Sequence, residues 1–241
     1  MLAPLAASSD AFLPGATVLF EVACTAGVPD LVLVEIDHHA VRDRQGAAPL
    51  EHPVDVSALL ALQSSTDVPM PTQAIADWVH VSAEHLRRRV LPRLVDGGHA
   101  LFTDDGWQGA YPFRSLARRV ITVEAKLRDW RGGLAQASRH AVVADEAWLV
   151  VDERAVAPAR TRLAGFDMFD VGLASLSTDG RLERLSIPQV NRSRQPGREL
   201  LVERAVALHL AGHVSGALPR VFGTVLVATE ADPRLAGALG R

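Results

Sequence analysis

The stretch Arg119-Val-Ile-Thr-Val-Glu-Ala-Lys-Leu127 decides how this chain of 241 residues is read. Its apolar, β-branched run marks a strand. Side chains alternate between the faces of a strand, so Glu124 and Lys126 project to one side while Val123 and Ala125 enter the opposite layer. A carboxylate and an ammonium held side by side at the end of a buried strand need a further charged group, such as a metal ion or a phosphate, to complete them. Composition singles out the same pair. Of the 25 basic residues 24 are Arg, and Lys126 is the sole Lys, placed where a compact, pKa-adjustable amine differs most from a planar guanidinium.

Downstream, Asp129-Trp-Arg-Gly-Gly-Leu-Ala-Gln-Ala-Ser-Arg-His140 reads as a loop entering a helix, with Gln136 and His140 one turn apart on a single face. Ala147-Trp-Leu-Val-Val151 then forms a short buried strand. Strand, helix and strand with a crossover of this length predict a parallel βαβ unit.

Upstream, Ala16 to Cys24 and Asp30 to Ile36 are apolar runs split by Thr25-Ala-Gly-Val-Pro29, which predicts a hairpin or two adjacent strands. Glu21 lies inside the first run. Asp30 opens the second directly after Pro29, where a turn-forming role and a functional one both apply.

Between these halves the pattern changes. Residues 37–53 are polar and read as a linker, after which Val54 to Gln63 has helical spacing. Pro71-Thr-Gln-Ala-Ile-Ala-Asp-Trp-Val79 opens a second helix, and Ser82 caps a third over Ala83 to Val95. Asp96-Gly-Gly-His closes it, and Ala100-Leu-Phe, Thr-Asp-Asp-Gly and Trp107 predict a short hairpin.

Thr72 to Trp107 resembles a winged helix-turn-helix. In the DNA-binding version of that fold the Arg-rich helix enters the major groove, which makes His85, Arg87, Arg88 and Arg89 candidate phosphate or base contacts. The outer segments resemble the PD-(D/E)XK nuclease superfamily, the restriction-endonuclease-like fold. The matching elements are Pro29-Asp30 opening a strand, Glu124-Ala-Lys126 on the next core strand, and Gln136 followed four residues later by a ring residue on the crossover helix. The run VEAKLRDWRGGLAQASRHAVVADEAWLVV is especially similar to small bacterial members.

The resemblance covers roughly 16–188, interrupted by 54–107. It implies an α/β fold with a mixed sheet flanked by helices, in which 1–53 and 108–241 form one discontinuous nuclease-like domain and 54–107 is an inserted winged helix-turn-helix. Two departures stand out. Asp30 and Glu124 lie far apart in the chain, which an insertion at a loop tip accounts for, and the family's frequent Tyr after Gln is His140 here.

The resemblance also implies metal-dependent hydrolysis of DNA phosphodiesters. Asp30 and Glu124, with a carbonyl near Ala125, would hold Mg²⁺ or Mn²⁺, hard ions that prefer oxygen ligands. Lys126 would orient or help deprotonate the attacking water. Glu21 would support a second ion or hold Lys126, and Gln136 would bond the nucleophile or a phosphate. The alternative is a DNA-binding or regulatory protein whose nuclease-like core is inactive, and a third reading is an interaction module of a repair or defence complex. A homodimer fits the need to cut two strands.

Length and 48% apolar content suffice for a real core. The single Cys24 rules out an internal disulfide, and no run reaches membrane-spanning length, so the chain reads as soluble and cytoplasmic. Nucleotide-triphosphate loops, dinucleotide glycine patterns and serine-hydrolase elbows are absent from the sequence. Farther on, Ala159 to Ala164 predicts a short helix, and Thr178-Asp-Gly-Arg181 a hairpin turn. Asn191 to Arg198 reads as a basic loop, and Arg198 to Leu210 as an amphipathic helix. His209 and His213 read as ordinary histidines, and Val221 to Thr229 as an apolar segment without a place.

Overall fold

The computed structural model describes residues 1–44, 46–64, 68–191 and 195–216, and the backbone of 220–221 and 224–225. A short helix α1 (Leu2–Ala7) precedes strand β1 (Thr17–Phe20). This strand is shorter than the apolar run predicts, because Glu21 adopts a φ of 51° and turns the chain out of the sheet. Strand β2 (Leu31–Ile36) starts immediately after Asp30. The polar stretch that follows is more than a linker. Asp37 accepts the backbone N–H groups of His39 at 3.0 Å and Ala40 at 3.2 Å, and so caps helix α2 (His38–Asp43).

Helices α3 (Pro53–Ser64) and α4 (Thr72–Val79) come next, and His80 ends α4 in the left-handed conformation. The Ser82 hydroxyl accepts the N–H of His85 at 3.1 Å. It starts a continuous helical run of α5 (Ala83–His85), a wide π turn over Leu86–Val90, and α6 (Leu91–Asp96). Pro92 accounts for the wide turn, since it offers no N–H to the carbonyl four residues back and its ring needs room there. Strands β3 (Ala100–Thr103) and β4 (Gly106–Gly109) make the expected hairpin.

Strand β5 (Ala117–Lys126), helix α7 (Trp130–His140) and strand β6 (Glu146–Asp152) form the parallel crossover unit. Two short helices, α8 (Ala157–Arg160) and α9 (Leu163–Met168), replace the single one expected. Strands β7 (Val171–Leu176) and β8 (Leu182–Ser186) flank the Asp179-Gly180 turn, and helix α10 (Pro196–Leu210) follows.

One mixed sheet of six strands has the order β1-β2-β5-β6-β7-β8, flanked by helices. Only β5-β6 and β6-β7 are parallel. Strand β2 lies directly against β5, with Leu31 opposite Val123 and Ile36 near Ala117. Residues 37–116 therefore leave and re-enter the sheet at one end of this pair, and Asp30 and Glu124 lie at the other. Six strand residues separate the two ends by about 20 Å.

Alternation along the strands assigns the layers. Leu31, Leu33, Ile121, Val123, Trp148 and Val150 pack under α1, whereas Val32, Val34 and Val120 meet Leu201, Val202, Ala205 and Val206 of α10. Helices α7 and α9 cover Leu149 and Val151.

Helix α10 is the expected helix, but it is buried on more than one face. Besides packing on the sheet it sends Leu200 into the core formed by Leu59, Ile75, Leu86, Val90 and Leu94 of the helical insertion. Glu203 pairs with Arg44 in the interior and accepts the N–H of Leu50 at 3.3 Å. Arg198 belongs to this helix and not to a basic loop. It is buried and forked onto Asp145 with both bonds at 2.7 Å, so it is a structural cation. Arg192 and Arg194, also assigned to that loop, lie outside the described residues, as does most of 221–229.

Candidate active site

The antiparallel pairing of β2 with β5 sets Asp30 beside Glu124-Ala-Lys126. Pro29 is buried and aims the chain into the sheet, and Asp30 Oδ2 accepts the backbone N–H of Ala125 at 2.7 Å. The acid is thus fastened to the residue between the two charged side chains of β5. Glu124 is only 2% exposed. Its Oε2 lies 3.2 Å from Lys126 Nζ, and its Oε1 lies 3.2 Å from His140 Nδ1. The imidazole contact lacks hydrogen-bond alignment, so Glu124 Oε1 and His140 Nδ1 both remain without a hydrogen-bond partner among the described residues.

Helix α7 supplies the roof. Asp129 caps it by accepting the N–H of Gly132 at 2.9 Å. Gly133, Gln136 and His140 then follow along one stripe. A Cβ on Gly133 would stand 2.8 Å from Lys126 Cγ and 2.5 Å from Leu149 Cδ1, so only glycine lets the helix come this near the strand. Gln136 is half-buried, and its amide makes no hydrogen bond to the described residues. On the far side of the imidazole, Gly27 has a φ of 132°, and a Cβ there would sit 3.0 Å from His140 Nε2.

The electrostatics divide the two carboxylates. Burial raises the pKa of Asp30, and the charge of Glu124 adds to the rise, against the Ala125 N–H and Lys126 that oppose it. Burial also pushes Glu124 upward, but His140 and Lys126 together outweigh it and hold Glu124 below its ordinary value. Glu124 is therefore ionised while the crowded Asp30 resists ionisation, a conflict that a cation between them would relieve.

The donor set suits a hard divalent ion, with two carboxylates, no thiolate, and one buried carboxylate oxygen left without a partner. Among the described residues no group of three or more Asp, Glu, His or Cys side chains could by itself hold a metal. An ion held by two carboxylates completes its shell with water and substrate oxygens, as Mg²⁺ commonly does.

Glu21 adjoins this cluster without a side-chain bond to it among the described residues. Its backbone N–H bonds the Asp30 carbonyl at 3.3 Å, but its carboxylate is exposed and forms no ion pair among the described residues. Lys126 is held by Glu124 instead. His85, Arg87, Arg88 and Arg89 are all exposed on the helical insertion, while Leu86 and Val90 enter its core. Arg88 is tied to Glu84 at 3.0 Å. These four side chains belong to the unit rooted at the opposite end of the β2-β5 pair from Asp30.

Sequence reasoning left the part of His140 open and overlooked Gly27 and Gly133. The signal for Gly133 was the Gly132-Gly133 pair in the first turn of a helix, where glycine is costly unless a neighbour needs the space. Comparison with known proteins finds no matching family model, no matching curated protein and no matching solved structure.

Proposed function

We propose that the chain is a divalent-cation-dependent deoxyribonuclease of the PD-(D/E)XK type, with residues 54–107 acting as a winged-helix unit that binds DNA. The observation behind this reading is the meeting of Asp30 and Glu124 around Ala125, with the sole Lys of the chain against Glu124. Asp30 and Glu124 would hold Mg²⁺ or Mn²⁺, which when bound neutralises phosphate charge and makes its water more acidic.

The remaining roles belong to the chain itself. His140 and Lys126 flank the two oxygens of Glu124 and keep it ionised and oriented. Lys126, at the rim of the site, is positioned to donate from Nζ to an attacking water or to a non-bridging phosphate oxygen, where negative charge grows in the transition state. The amide of Gln136, on the same stripe as His140, offers a second donor for substrate, a neutral one. Arg87 and Arg89 supply phosphate contacts on the inserted unit.

The test is cleavage of plasmid, linear duplex and single-stranded DNA with Mg²⁺, with Mn²⁺ and with chelator. Lys126→Ala and Asp30→Asn should abolish cation-dependent cutting. Salt-sensitive DNA binding without any cation-dependent cutting would instead favour a DNA-binding protein with an inactive core, and cutting that survives both substitutions would remove the assignment.

A further inference from the structure

Next to the candidate site, α7, α9 and the turn before α9 line an open cavity of about 520 Å³ whose walls include Trp130, Arg131, Leu134, Arg162, Ala164 and Gly165. Trp130 follows Lys126 by only four residues, so the mouth lies within about 13 Å of the strand end that bears the lysine. The floor is apolar, and no carboxylate lines the cavity.

Two cations stand at its rim. Arg131 and Arg162 are exposed and form no ion pair among the described residues. Neighbouring Arg154 and Arg160 are engaged, on Asp152 at 2.8 Å and Glu183 at 3.0 Å. The indole is fixed in place. Phe166, fully buried, stacks behind Trp130 with centroids 6.2 Å apart and planes inclined by 30°, and the Arg131 guanidinium lies 4.7 Å over the ring. Gly165 keeps the opposite wall open, since a Cβ there would meet no atom within 4 Å.

A slot of this volume is of ligand size. Planar groups on one wall, apolar contacts beneath and guanidinium groups without a carboxylate partner at the mouth suit a flat ring that carries a phosphate. We propose that this cavity seats the base of one unpaired nucleotide next to the scissile phosphate, so that the substrate is single-stranded or locally unpaired DNA. The identity of the ligand rests on the nuclease reading above. A base inside a duplex is stacked and cannot reach the slot, so pairing at that position excludes the nucleotide.

Binding measured in chelator separates the seat from cleavage. The probe is a short fluorescein-labelled single strand, compared with its duplex. Gly165→Leu fills the cavity from its open wall and should weaken single-strand binding by about tenfold, the scale of one lost stacked base. It should leave duplex binding and the thermal midpoint unchanged. In Trp130→Phe, which keeps a ring against Phe166, the quenching of intrinsic fluorescence that accompanies single-strand binding should be smaller than in wild type, the remainder coming from other tryptophans such as the exposed Trp78.

Equal single-strand affinity in Gly165→Leu and wild type overturns the proposal, as does quenching in Trp130→Phe equal to that in wild type. Asp30→Asn, which removes a negative charge beside the phosphate, should bind the single strand in chelator at least as tightly as wild type. If Asp30→Asn instead cleaves normally, the nuclease reading fails, and the chelator measurement still decides the seat.

Discussion

The Asp30 carboxylate accepts the backbone N–H of Ala125 at 2.7 Å, which fastens the start of β2 to β5 between Glu124 and Lys126. Asp30→Asn keeps an acceptor for that N–H and removes a charge that burial and Glu124 both disfavour. In chelator at neutral pH the variant should unfold about 1–2 °C above wild type, while cation-dependent cleavage falls by at least about 100-fold. The sign follows from proton binding. The folded-state pKa of Asp30 is raised, so its contribution to stability is present at low pH and declines as pH climbs from the ordinary aspartate value through the raised one. The advantage of the variant should therefore vanish below that window. Circular-dichroism melts across pH check this, and a lower midpoint for Asp30→Asn at neutral pH would refute it.

Glu124 runs the other way. Its folded pKa is lowered, so its ionised form contributes stability above the ordinary glutamate value, and that contribution is lost as pH falls through the folded one. On the proposed reading, added Mg²⁺ or Mn²⁺ should bind the folded chain. At ten times the dissociation constant it should raise stability by about 1.4 kcal/mol and the midpoint by about 3–5 °C. Glu124→Gln and Asp30→Asn should each erase that rise, and a cation response of equal size in both variants places the ion elsewhere.

His140 and Gly27 should be coupled, because a Cβ at Gly27 would stand 3.0 Å from Nε2 of the imidazole that flanks Glu124 and push it by a few tenths of an ångström. His140→Ala should lower cleavage by about 10–100-fold as Glu124 loses its orientation. Gly27→Ala should do the same and also cost stability, through its φ of 132°. In the double variant the losses in activity should fall well short of their sum. Fully additive losses would show that Gly27 does not act through His140.

The three consecutive arginines of the insertion are unequal. Arg88 already pairs with Glu84, whereas Arg87 and Arg89 are exposed without an ion pair among the described residues. Arg87→Ala and Arg89→Ala should each weaken duplex binding across all sequences and reduce the slope of log affinity against log salt by about one. Arg88→Ala should change it less. Salt titrations of the three variants read this directly, and three equal effects would show that the pair with Glu84 opens on binding.

The segments that build the site were legible where local pattern governs. Asp30, Glu124 and Lys126 stood out because charged groups at the ends of apolar strands are conspicuous, and the crossover helix and its return strand followed from period and length. Contacts made across the fold were not legible. The nearness of His140 to Glu124 depends on how closely α7 lies on β5, which only Gly133 permits. Arg198, Glu199 and Glu203 look like the polar face of a surface helix, since their partners Asp145 and Arg44 lie far away in sequence. The positive φ of Glu21, which ends β1 early, was not legible either, because nothing local announces it.

The double duty of α10 has a consequence for how the chain matures during synthesis. The helical insertion is complete at Gly109, yet Leu200 of its core and the Glu203 that anchors its base emerge roughly ninety residues later. At ordinary elongation rates that is a wait of about 5–20 s. Throughout it the insertion has a core open on one side, and β2 lacks the cover of Leu201 and Val202. The late helix closes both at once, so the inserted unit and the strand that follows Asp30 gain their final packing in the same step.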